Sequence, residues 1–139
     1  MPTAENAPLN ALLGLWRSSG ETLDSPPVRI IGTDEYTWFA GEHFLVHRVD
    51  VRFGGEHVEV LEMIGPYDPA TGGYPMRAFD NRGVLAEMIA RVDAEGVWTF
   101  LGPDTRATLR IAESVMAARW ERLVRGEWTH WLDMSFSRA

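Results

Sequence analysis

The stretch LVHRVDVRF, residues 45–53, ends on Gly54-Gly55 and leads into EHVEVLEMI, residues 56–64. Leu45, His47, Val49, Val51 and Phe53 fall on one side of an extended chain, and Arg48, Asp50 and Arg52 on the other. Successive side chains of a strand point to opposite faces, so this period-two pattern predicts a strand with one dry face. A Gly-Gly pair between two such runs reads as a tight hairpin. Antiparallel strands are the arrangement in which one face packs and the other stays wet.

Working outward, turn signals recur roughly every 8–12 residues, the spacing of all-β sandwiches and barrels. They are Asp24-Ser25-Pro26-Pro27, Ala40-Gly41-Glu42, residues 68–73, Asn81-Arg82-Gly83, Ala94-Glu95-Gly96, Gly102-Pro103-Asp104 and Arg125-Gly126. Between them lie ten runs of strand length, at about 14–23, 28–39, 43–53, 56–65, 73–80, 83–92, 96–101, 105–111, 114–124 and 127–138. In the last run, Trp128, His130, Leu132, Met134 and Phe136 share one face. Thr129, Asp133, Ser135 and Ser137 share the other with Trp131. Residues 109–123 are the best helical rival, with three alanines and several charges, but their apolar positions hold no i, i+3, i+4 stripe. Ten short strands on tight turns form a meander, and closure into a barrel removes its edges. The expected fold is therefore all-β, a single antiparallel up-and-down barrel of about ten strands. Asn10 is expected to cap a short helical turn through Ala11, Leu12 and Leu13. Residues 1–9 are expected to form a flexible N-terminus ahead of a barrel domain at 10–139.

The chain has 139 residues, enough for one domain with a real core. Hydrophobic residues make up 45% and charged residues 24%, a globular balance. Thirteen basic against twenty acidic side chains give −7, which argues against nucleic acid and against an anionic membrane surface as partners. Cysteine is absent, which removes disulfides, thiolate catalysis, zinc–cysteine sites and iron–sulfur ligation. Every basic residue is Arg, so Schiff-base chemistry and P-loop phosphate binding are excluded as well. No nucleophile elbow, glycine-rich phosphate loop, His-Glu-x-x-His or dinucleotide fingerprint occurs. Residues 1–9 carry neither a basic nor a long apolar segment, so a cytoplasmic address is expected. A homodimer is expected on the general frequency of two-fold assemblies.

Gly14-Leu15-Trp16 opens the first strand just after the helical turn. It resembles the Gly-x-Trp signature of lipocalins, whose Trp plugs one barrel end against an Arg from the last strand. That resemblance implies Trp16 and Arg138 as a structural plug. Tyr36-Thr37-Trp38, residues 44–51 and 63–69, Phe79-Asp80, Trp98-Thr99-Phe100 and residues 128–138 extend the likeness over most of the chain. They resemble a family of small bacterial domains of unknown function with lipocalin-like (calycin) barrels. The resemblance implies a fold and a cavity rather than a reaction. More distantly the chain is similar to nitrobindins, ten-stranded barrels holding haem through a His near the chain end, a place His130 would take. It departs from them in Arg17-Ser18-Ser19-Gly20-Glu21, where nitrobindins run on with glycines. The strand count is similar to fatty-acid-binding barrels.

Several side chains are candidates for chemistry inside such a barrel. His47 and His130 sit on the more apolar face of their strands, where imidazole serves as a hydrogen-bond group, metal ligand or proton carrier. His43 and His57 lie near turns and read as solvated. Arg48, Asp50 and Arg52 read as outer-face charges in cross-strand pairs. Arg119, between Ala118 and Trp120, is the candidate clamp for a ligand carboxylate, or else a partner of Glu121 or Glu62. Glu62, and similarly Glu87, stands in an apolar run where its pKa would rise, as suits an acid or base. Tyr36, Trp38, Trp98 and Trp120 complete the expected ligand-binding set with His47, Glu62, Arg119 and His130, the aromatics offering walls to an apolar ligand. The expected function is non-enzymatic binding of a small hydrophobic or amphipathic molecule. No metal or resident cofactor is expected. The alternatives are haem binding through His130 and a hydrolase or isomerase using Glu62 with His47.

Overall fold

A computed structural model describes residues 2–139. A 3₁₀ helix (Ala7–Leu12) precedes ten strands: β1 (Gly14–Thr22), β2 (Arg29–Trp38), β3 (Leu45–Phe53), β4 (Glu56–Ile64), β5 (Tyr74–Asp80), β6 (Leu85–Val92), β7 (Trp98–Leu101), β8 (Thr105–Ala112), β9 (Val115–Val124) and β10 (Glu127–Arg138). Each strand pairs antiparallel with its neighbours in the chain, and β1 closes on β10. The expected all-β meander of ten strands is thus a closed barrel. Residues 109–123 are the β8–β9 hairpin rather than a helix.

Inward positions follow the parity of each strand. Val51, Ile30, Leu109, Ala118, Leu132 and Met134 are buried, while Arg48, Asp50 and Arg52 face solvent as expected. Asp50 finds its partner across the β3–β4 hairpin in His57, Nε2 to Oδ1 2.8 Å, instead of in an arginine. Gly32 lies so close to β3 that a Cβ there would sit 2.1 Å from the Asp50 carbonyl oxygen, so only glycine fits that crossing.

One end of the barrel is sealed. Trp16 is fully buried, and its indole Nε1 donates to the Leu12 carbonyl at 2.9 Å. The Arg138 guanidinium lies over the indole, 4.1 Å from the ring centroid, and Nη1 donates to the Leu13 carbonyl at 2.7 Å. Gly14 has φ 124°, and a Cβ at that position would come within 2.6 Å of Arg138 Nη1. The glycine of the Gly-x-Trp signature therefore leaves room for the arginine that covers the tryptophan.

The N-terminus departs from expectation. The helical turn begins at Ala7, and Asn10 lies within it, where Oδ1 accepts the Trp38 indole N–H at 2.9 Å. Asn6 and Leu9, placed by the sequence reading in a flexible arm, are buried. Asn6 Oδ1 accepts the Tyr67 backbone N–H at 3.0 Å, and the Tyr74 hydroxyl donates to the Glu5 carbonyl. Leu9 and Leu12 supply apolar cover for the sealed end, and the hydrogen bonds fix its register.

Candidate functional site

Above the plug the barrel encloses a cavity of about 340 Å³. Its lining is apolar apart from one cluster. Val49, Val51, Val60, Met76, Met88 and Leu109 are typical of the wall, and Asp34, His47 and Glu62 are its ionisable members along with Tyr36. The size and the single polar spot match small-ligand sites.

The cluster comes from three adjacent strands. Tyr36 on β2 is opposite His47 on β3, which is opposite Glu62 on β4, so three inward side chains form one cross-barrel row. Asp34 is two residues before Tyr36 and therefore on the same face. His47 Nε2 meets Asp34 Oδ2 at 2.6 Å, and Nδ1 meets Glu62 Oε1 at 2.9 Å. The Tyr36 ring stacks on the imidazole with centroids 4.0 Å apart and an interplanar angle of 9°. The Ser18 hydroxyl donates to the other oxygen of Asp34. Ala78, the cross-strand partner of Glu62, is small and leaves space beside the carboxylate.

Electrostatics follow from this geometry. Burial alone would drive the imidazole toward its neutral form. Hydrogen bonds to Asp34 and Glu62, and their charges, outweigh that and raise the His47 pKa to about 9. The ring is an imidazolium donating through both nitrogens. Burial, followed by the Asp34 and Glu62 charges, holds the Tyr36 phenol well above its ordinary value.

Of the residues expected to bind ligand, Tyr36, His47, Glu62 and Trp120 line the cavity. Four others do not, which corrects their expected placement. Trp98 is buried in the sealed end, 5.6 Å from the Tyr74 ring, and Trp38 is anchored outside the cavity by Asn10. Arg119 is exposed on the outer face of β9, because Met116, Ala118 and Trp120 take the inward positions. Its expected partners are occupied elsewhere, Glu121 by Arg106 at 2.8 Å and Glu62 by His47. His130 is turned out by a break in the β10 register between His130 and Leu132. It pairs with Glu121 across β9, and its Nε2 bonds Asp133 Oδ1 at 2.7 Å. The same break swings Trp131 into the cavity, against Phe53. Glu87 is exposed on β6. Sequence reasoning misses Asp34, Ser18 and Trp131. Parity with Tyr36 is the available signal for Asp34, whereas a bulge leaves none for Trp131.

The residues present do not fit a histidine-ligated haem of the kind the nitrobindin resemblance implies. Such a haem needs an imidazole nitrogen aimed at the iron. Among the described residues, His47 is the cavity's one histidine and both of its nitrogens are engaged, while His130 is outside.

Ten antiparallel strands closed on themselves and plugged by a tryptophan define a calycin-like barrel. No protein-family model matches the chain, and no curated protein does. Its fold is similar to the crystal structure of Rv2717c from M. tuberculosis, with a TM-score of 0.75 and 15% identity over 100% of this chain and 99% of that one. A de novo designed β-barrel, described as fluorescence-activating, has a TM-score of 0.52 and 15% identity over 94% of this chain and 95% of that one. At such identities the likeness concerns the fold.

Proposed function

We propose that this barrel binds a small hydrophobic or amphipathic molecule, without chemistry, in the cavity above the Trp16 plug. One observation carries the reading: an apolar space of about 340 Å³ meets a single buried polar cluster, Asp34–His47–Glu62 under Tyr36. An apolar body would fill the space against Val51, Met88, Phe100 and Trp120, and the cluster would orient the polar end. The designed barrel described as fluorescence-activating has the same general architecture, which supports a small-molecule reading. Contact between His47 and Glu62 would suit an acid–base pair, but an imidazolium with both nitrogens occupied leaves His47 itself no free nitrogen for a substrate proton. Binding is accordingly the better reading of the same residues.

The test is native mass spectrometry of the purified protein, followed by titration with a neutral solvatochromic dye such as Nile red. The expected result is one dye per chain with blue-shifted emission, abolished by Ala118→Trp, which puts an indole into the space the dye would take. A dye response of the same size in Ala118→Trp, or no response in either protein, would overturn the proposal.

A further inference from the structure

The charges and hydrogen bonds of the cluster narrow the ligand class. Among the described residues no arginine lines the cavity, and its charged groups are Asp34, Glu62 and His47. Two carboxylates against one imidazolium leave one negative charge in excess. The acceptors are unequally used. Asp34 receives Ser18 on one oxygen and His47 on the other. Glu62 receives His47 on Oε1, and Oε2 has no partner among the described residues although Glu62 is only 7% exposed. Among the described residues no enclosed side-chain oxygen lacks a partner, so Oε2 is in contact with the open space of the cavity, next to the small Ala78. An ionised carboxylate only accepts hydrogen bonds.

We propose that the ligand carries a cationic, hydrogen-bond-donating head of the primary-ammonium class on an apolar body, and that Glu62 Oε2 receives this head. The inference rests on the cavity-binding reading above. A ligand carboxylate placed here would meet like charge in a medium of low dielectric, where repulsion is strong. An alcohol can donate one hydrogen bond but leaves the excess charge uncompensated. An ammonium group does both, and the imidazolium does not compete for Oε2 because its two N–H groups are already engaged by Asp34 and Glu62 Oε1. Tyr36, stacked on the imidazole and lining the same space, offers a further oxygen. The position also sets orientation. The cluster is at the plug end of the strands, since His47 is two residues from fully buried Leu45 and Tyr36 is paired with Gly14. Phe53, Trp120 and Trp131 stand farther along the barrel, beside the end of β1 that carries Gly20 and Thr22. The ligand therefore enters head first and lays its apolar body along these rings.

The experiment uses three probes of one chain length, decylamine, decanol and decanoate, each displacing Nile red from the intact protein at near-neutral pH and moderate salt. Decylamine is expected to bind as one molecule per chain, about tenfold or more tighter than decanol, with decanoate weakest. Glu62→Gln keeps the shape, removes the charge, and is expected to bring decylamine to within about threefold of decanol. Decanoate binding as tightly as decylamine would overturn the inference and leave cavity binding standing. So would an amine preference unchanged in Glu62→Gln, or several amines bound per chain, either of which would place the attraction on the acidic surface. If no probe displaced the dye and the dye itself failed to bind, the cavity-binding reading would fall first.

Discussion

His47 is the residue on which the site's energetics turn. Its folded-state pKa of about 9 lies above the ordinary value of 6.5, so the imidazolium contributes stability that is fully present below pH 6.5 and is lost as pH rises through about 9. The contribution is on the order of 3 kcal/mol for a group this well buried. Urea unfolding at pH 6 and at pH 9.5 is expected to differ by about that amount. The difference should be absent in a triple variant carrying Asp34→Asn, His47→Gln and Glu62→Gln, and an equal difference in the two proteins would refute the assignment. His47 and Glu62 are legible in the sequence because each alternates with Val, Leu or Ile along an obvious strand, and Tyr36 because it stands in the aromatic run Tyr36-Thr37-Trp38. Asp34 is not, since Gly32-Thr33-Asp34-Glu35 reads as a polar surface run until the register sets it beside His47. Gly14 makes a second residue-level case. Gly14→Ala is expected to cost about 1–3 kcal/mol, because φ 124° is unfavourable for alanine and the new Cβ meets Arg138. Thermal unfolding checks this, and an unchanged midpoint would mean that Arg138 does not depend on the space Gly14 leaves.

At the level of elements, the strands are readable and their faces are not always so. Alternation and turn residues locate all ten strands, because a barrel wall needs one dry face along every strand. The register break in β10 defeats this logic. One extra residue in a strand reverses the face of everything beyond it, and no residue type announces it. Counting back from Met134 by twos puts His130 inside, whereas the bulge puts Trp131 there. The contrast is measurable by dye titration. His130→Ala is expected to leave affinity within about twofold, and Trp131→Ala to weaken it by about tenfold through lost aromatic contact. Equal effects from the two substitutions would show that the bulge is not present in solution. The N-terminal segment is misread for a different reason. Its polar and proline-bearing sequence reads as frayed, yet Leu9 finds cover only on the sealed end of a completed barrel, a tertiary fact that no local pattern contains.

For the whole molecule, closure and plugging together decide what kind of cavity exists. Every strand has two hydrogen-bonded neighbours, so there is no edge at which the wall could open cheaply. The 3₁₀ helix, Trp16 and Arg138 seal one end, so a ligand's position is fixed by the wall and by the cluster near that seal. Such a space exists only in the folded barrel, and anything that fills it must stabilise the fold by mass action. At about a hundred times its dissociation constant, a cavity ligand contributes about 2.7 kcal/mol. For a chain of this size that corresponds to a rise of roughly 8–10 °C in the unfolding midpoint. A ligand adsorbed on the acidic exterior has no such requirement, and an amphiphile that prefers the unfolded chain lowers the midpoint. Thermal unfolding with and without the tightest of the three ten-carbon probes therefore tests where the probe sits. A rise of that size in the native sequence and none in Ala118→Trp is the expected pair of results. A rise of equal size in both would move the binding site out of the barrel, because the substituted indole occupies the enclosed volume that the described residues leave for it.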